Sequence, residues 1–149
     1  MKTLFDATTN SEMINRIEKL TPSSHRQWGK MNVSQMLVHC TNGIEMAMGT
    51  RKMKPIFIGR IIGRFFKAGV LNDQPMKKST PTVKEMVIVN TDEFETEKQR
   101  LINVVKAFNE AGKNGIPVHD HPFFGKMTTD EWGISATKHL DHHLGQFNV

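Results

Sequence analysis

The sequence predicts an all-α fold, a four-helix bundle formed as one domain over residues 1–149. Three observations predict it. Four segments repeat apolar residues at helical spacing. Strand signals are scarce, MVIVN at 86–90 being the one β-branched run of note. One connection is far longer than the other two, as in bundles where a crossover joins two parallel helices.

The first helix is expected from about Ser11 to Leu20, with Met13, Ile14, Ile17 and Leu20 on one stripe and Pro22 just beyond. The second starts at Asn32, where N-V-S-Q reads as a capping box of Asn32 and Gln35. Its stripe is Val33, Met36, Leu37, Cys40, Ile44 and Ala47, and Gly49 ends it. The third begins near Thr91, an N-cap followed by Asp92 and Glu93, acids suited to the positive end of a helix dipole. Phe94, Leu101, Val105 and Phe108 line its buried face and Gly112 closes it. MVIVN before it reads as an extended lead-in or an early start of that helix. The fourth opens with Thr128 and Glu131 as a second capping box and continues through Trp132, Ala136, Leu140 and Phe147. The crossover, about residues 50–90, is too long to be featureless. PIFIGRIIGRFFKAGV, from Pro55 to Val70, is read there as a short extra helix, with Gly59 or Gly63 as a place for a break.

Composition narrows the classes. Cys40 is the single cysteine, which excludes an intrachain disulfide and fits a reducing cytoplasm. The start, MKTLFDATTNSEM, lacks the apolar run of a signal peptide, and no stretch is long enough to span a bilayer. A soluble, cytoplasmic protein with little membrane contact is the expectation. The net charge of +5 is uneven: Arg51 to Lys78 holds eight basic residues against Asp73, so the rest of the chain is −2. Basicity is therefore local, and with no tyrosine and no interleaved aromatic and basic residues, no nucleic-acid partner is expected.

Chemistry concentrates in HLDHHLGQF. On a helical projection His139 and His143 fall inside the apolar arc of Trp132, Ala136, Leu140 and Phe147, whereas Asp141 faces water and His142 lies on the rim. Chance supplies a four-residue histidine spacing in about one such chain in four, so burial, not spacing, strengthens the pair. Buried imidazoles need partners, and either core hydrogen bonds or a divalent metal would serve. His39 borders the apolar stripe of the second helix, and Gly43, one turn later, leaves space beside it. Three imidazoles from two packed helices would leave metal positions open for water or substrate, the pattern of a catalytic site. A lone rim histidine is the alternative.

The remaining candidates carry weaker signals. Cys40 points into the stripe and reads as a small buried hydrophobe. His119 and His121 lie in an extended turn, with surface or hydrogen-bonding roles, one of them a candidate for the site mouth. His25 has no role. Gln146 lies beside His139 on the projection and is a candidate to orient an imidazole or a substrate. Trp28 and Trp132 read as core anchors.

WGKMNVSQMLVHC at 28–40, and HPFFGKMTTDEWG followed by KHLDHHLGQF at 121–147, resemble the DinB-like superfamily, in particular a bacterial branch described as a domain of unknown function. The resemblance implies an up-down-down-up order of the four helices with the crossover between the second and third. It implies a divalent metal, zinc or nickel, on one histidine late in the second helix and two in the fourth: His39, His139 and His143. His121, His142 and Gln146 would stand around them. Relatives of this kind are metal-dependent transferases and isomerases working with low-molecular-weight thiols, and others look like hydrolases. Gly145 departs from the branch, which often has a larger basic residue there, and it costs about 1 kcal/mol of helix propensity relative to alanine.

Two further readings stand beside the enzyme. One is a non-catalytic protein that binds a small ligand or a partner, with a vestigial metal site. The other gives segment 55–70 an anionic interface, because Ile56, Phe57, Ile58, Ile61, Ile62, Phe65 and Phe66 accompany Arg60, Arg64 and Lys67. Its length and position favour instead a cover over the bundle or a homodimer contact.

Overall fold

The computed structural model describes residues 1–79 and 86–149, and of residues 57, 58, 60–62 and 64 the backbone alone. In chain order the elements are α1 (Ala7–Glu18), α2 (Val33–Ala47), α3 (Phe57–Val70), α4 (Phe94–Gly115), β1 (His119–His121), β2 (Gly125–Met127) and α5 (Thr129–Gln146). Helix makes up 55% of the chain and the only sheet among the described residues is one short antiparallel pair, so the class is mainly helical. Among those residues no helix is long and apolar enough to cross a membrane.

The predicted apolar stripes are the core. Met13, Ile17 and Leu20 pack with Met36, Leu37, Cys40 and Ile44, with Leu101, Val105 and Phe108, and with Trp132, Ala136 and Leu140. Burying this many large apolar side chains is the main term holding the helices together. α2 packs on α4 and α5, α1 packs on the same two helices, and α3 meets β2.

Several boundaries differ from the sequence reading. α1 starts at Ala7, not near Ser11, because Asp6 accepts a 2.7 Å bond from the Thr9 amide. Its first turn is buried through polar groups, which apolar periodicity does not register: Asn10 Nδ2 donates to the Val105 carbonyl at 2.8 Å. α4 is capped by Glu93, without a side-chain bond, and not by Thr91. Residues 87–93 precede it as non-helical chain, so MVIVN is a lead-in and not an early start. Gly112, at φ 57 and ψ −174, breaks the helical backbone as its position suggested, and a further turn beyond this kink carries the range of α4 to Gly115.

The loop VHDHPFFGKM forms a hairpin that the sequence reading did not expect, with His119 opposite Met127 and His121 opposite Gly125. The crossover helix is unbroken at its glycines. They serve contact instead, since a Cβ on Gly59 would lie 2.7 Å from Phe123, and one on Gly63 would meet the Phe123 carbonyl oxygen. Lys67 pins α3 further, donating to the Lys126 carbonyl at 2.7 Å and pairing with Glu131 at 2.7 Å. Phe65 and Phe66 are exposed, but Phe57, Ile58, Arg60, Ile61, Ile62 and Arg64, on which the anionic-interface reading also rests, have side chains outside the described residues.

Candidate metal centre

The phase of α2 and α5 is set at their first residues. Asn32 Oδ1 accepts from the Gln35 amide at 2.8 Å while Gln35 Oε1 accepts from the Asn32 amide at 3.0 Å. Thr128 and Glu131 make the same reciprocal pair at 3.2 and 2.8 Å. Counting along each helix from a fixed start brings His39 of α2 against His139 and His143 of α5. The three rings lie 4.7–4.8 Å apart centre to centre, and one nitrogen of each lies within 4.8 Å of the others. His39 and His143 are buried and His139 is half-buried. Gly43 makes the space that the sequence suggested, and His139 fills it: a Cβ there would lie 3.1 Å from His139 Nδ1.

The hydrogen bonds around the group decide which nitrogens face inward. His143 Nδ1 lies 2.9 Å from Gln146 Oε1, an acceptor, so the proton sits on Nδ1 and the lone pair on Nε2. Gln146 is held in turn by the Trp28 carbonyl, to which its Nε2 donates at 2.7 Å. His39 Nδ1 faces the Met86 carbonyl at 3.4 Å, which favours the same tautomer. His39 Nε2 and His139 Nε2 are 2.9 Å apart. Two nitrogens each about 2.1 Å from one ion lie about 3.0 Å apart at a right angle and about 3.4 Å apart at the tetrahedral angle. The His39–His139 spacing thus suits two ligands of one divalent ion, while the three nitrogens, which lie within 4.8 Å of one another, would have to draw closer around it; the group contains neutral imidazoles only.

Burial also keeps these imidazoles neutral. Desolvation, then the neighbouring His39, pushes the His143 pKa down to about 3. Desolvation followed by His143 and His39 holds His139 well below the ordinary imidazole value. His39 is lowered by burial, partly opposed by the Met86 carbonyl. A neutral imidazole is the form that binds a metal.

The other sequence candidates fall around this group. His142, half-buried, packs its ring 5.2 Å from His143 and 5.6 Å from Trp28. His121 is turned into the hairpin, where its Nδ1 accepts from the amides of Phe123 and Phe124 at 3.0 and 3.1 Å and its ring stacks on Phe124. Burial lowers its pKa to about 4. His119 stacks on Trp132 and bonds the Pro117 and Met46 carbonyls, a structural role. Cys40 is fully buried, its thiol pKa pushed far up by desolvation, so it offers no thiolate. Trp132 is the core anchor expected, but Trp28 is half-buried, with Lys78 Nζ 4.4 Å from its ring. At Gly145 a Cβ would touch Trp28 only at 4.0 Å, so packing does not demand glycine there.

Two contributors escaped the sequence reading. The Met86 carbonyl is backbone and carries no sequence signal. Gly29 sits at φ 78, and a Cβ on it would lie 2.5 Å from Gln146 Nε2. The dipeptide Trp28-Gly29 before a capping box was the available hint.

No curated protein and no solved structure matches this sequence. The model of a family described as protein of unknown function (DUF1569) matches residues 2–149. That is nearly the whole chain, and the chain belongs to the DUF1569 family.

Proposed function

We propose that this chain is a metal-dependent enzyme in which His39, His139 and His143 hold one divalent ion, zinc or nickel, with positions left for a small substrate. The observation that carries the proposal is the convergence of three neutral imidazoles, drawn from α2 and α5, within 4.8 Å of one another. An ion there would lower the pKa of a bound thiol or water and make it a nucleophile at neutral pH. The chain's own part is to aim and desolvate. Gln146 fixes the His143 tautomer, the Met86 carbonyl favours that of His39, and Gly43 admits the His139 ring. The group includes no carboxylate, so no general base is assigned.

The two motif blocks and the packing of α1, α2, α4 and α5 support placing the chain, as a single domain, among DinB-like four-helix bundles of up-down-down-up order. On that placement the substrate pair is a low-molecular-weight thiol, or water, and a small electrophile. His142 and Trp28 beside His143 would then border the substrate.

The test is metal analysis of protein purified without a histidine tag, alongside His139→Ala and His143→Ala, followed by thiol-consumption assays on the loaded wild type. One equivalent of metal, lost in both variants, with metal-dependent thiol or hydrolytic turnover is expected. A wild type that carries and takes up no metal contradicts the proposal. Metal without turnover leaves a binding protein.

A further inference from the structure

Beside the histidine group, residues 72–78 of the crossover lie along α5. Lys138 fastens this strap at one end, its Nζ donating to the Asn72 and Gln74 carbonyls at 2.6 and 2.8 Å. One turn further along α5 stands His142, its ring 5.6 Å from that of Trp28. Over Trp28 the strap brings Lys78 Nζ to 4.4 Å from the ring centre. Trp28 is tied to the histidine group in turn, because Gln146 joins its carbonyl at 2.7 Å to His143 Nδ1 at 2.9 Å.

Lys78 is exposed, and among the described residues no ion pair joins it to an acid. Asp141 is paired with Arg16 at 2.6 Å. Asp73, the acid of the strap, bears instead on Lys138, where it opposes the lowering of that pKa by burial. An ammonium resting on an indole face keeps N–H donors turned away from the ring, free for an anion. Arg26 and Lys30, both exposed, flank Trp28 in the chain, so this margin is positive. It is also close to the centre. The His142 pKa is lowered first by burial, pulled up by Asp141 and lowered again by the Lys78 charge. Beyond burial, a charge on His142 bears in turn on His39, His139 and His143.

We propose that the small thiol taken by the metal centre is an anion, its sulfur directed to the ion and its carboxylate paired with Lys78 Nζ over the Trp28 ring. The inference rests on the metal reading above and adds to it the charge of the substrate and the residue that selects it. A compact ammonium suits a singly charged carboxylate, and the indole face beneath it offers apolar surface to the chain between carboxylate and sulfur. Lys78 is thus a specificity residue: a neutral thiol reaches the same ion without this pair.

The experiment uses cobalt(II) as the probe of the centre, because a thiolate bound to it adds a charge-transfer band. Cobalt content is measured on the untagged full chain, which is then titrated with ω-mercaptocarboxylates of three, six and eight carbons and with the neutral ω-mercaptoalcohols of the same lengths. At one length or more the acid should bind about three- to fivefold tighter than the alcohol, as an exposed ion pair allows, and the difference should shrink as salt is added. Lys78→Met should abolish the difference and Lys78→Arg restore it, whereas a preference that came from carboxylate binding to cobalt itself would survive both. Equal affinity for acid and alcohol at every length, or a preference that persists in Lys78→Met, overturns the proposal and leaves the metal centre standing. Cobalt taken up with no thiolate band from any ligand overturns it as well. A chain that takes up no cobalt overturns the metal reading and this inference together.

Discussion

Gln146 reaches in two directions, its Oε1 accepting from His143 Nδ1 and its Nε2 donating to the Trp28 carbonyl. A side chain so placed sets the orientation and basicity of the imidazole it holds. Gln146→Ala should therefore weaken metal affinity about 10–100-fold while leaving the fold intact, as read by competition against a chelator. Gly29→Ala should act in the same direction, because its Cβ would displace Gln146 and its backbone would sit strained at φ 78. Unchanged affinity in both variants would remove Gln146 from the site.

The buried imidazoles also set a pH dependence for the metal-free protein. His143 has a pKa of about 3 when folded, against an ordinary value of 6.5, and His121 one of about 4. Between those values the unfolded chain binds more protons than the folded one, so stability falls as pH drops from about 6.5 towards 3. The slope is up to about 1.4 kcal/mol per pH unit for each such group. Denaturant melts of the metal-free wild type across this range should show the loss, and His143→Ala should flatten it.

At the scale of elements, some features were legible and others were not, for identifiable reasons. Capping boxes announce themselves by residue type at fixed spacing, and both Asn32–Gln35 and Thr128–Glu131 form as written. The start of α1 escaped because its first turn is buried by Thr9 and Asn10, not by an apolar stripe. The hairpin escaped because strands of three residues are too short to show alternation. Gly59 and Gly63 suggested a break in the crossover helix, but they are close-approach positions against Phe123. Gly63→Ala should therefore push α3 off the hairpin, costing about 1–3 kcal/mol and exposing residues 50–75 to limited proteolysis. Gly69→Ala, where a Cβ would meet nothing within 4 Å, is the control expected to leave both unchanged or slightly improved.

For the whole molecule, the histidine group ties two helices whose contacts are a hundred residues apart in sequence. His39, His139 and His143 were legible as candidates because each lies on or beside an apolar stripe where an imidazole is out of place. What the stripes could not give was the tautomer of each ring, because that depends on the Met86 carbonyl and on Gln146 folding back from the end of α5. A ligand that bridges α2 and α5 in the native state alone must stabilise that state. At a free metal concentration 100 times Kd the gain is about 2.7 kcal/mol. For a chain of this length that raises Tm by roughly 5–10 °C. His139→Ala should melt at the same temperature with and without metal.

The most direct measurement is X-ray absorption at the metal edge of zinc- or nickel-loaded, untagged protein. Three imidazole nitrogens at about 2.0–2.1 Å are predicted, with light-atom scatterers completing the shell and no sulfur. His39→Ala and His139→Ala, desalted after loading, should retain no metal and give no such spectrum. A sulfur shell, fewer than two imidazoles, or an unchanged spectrum in those variants would contradict a metal centre built on His39, His139 and His143.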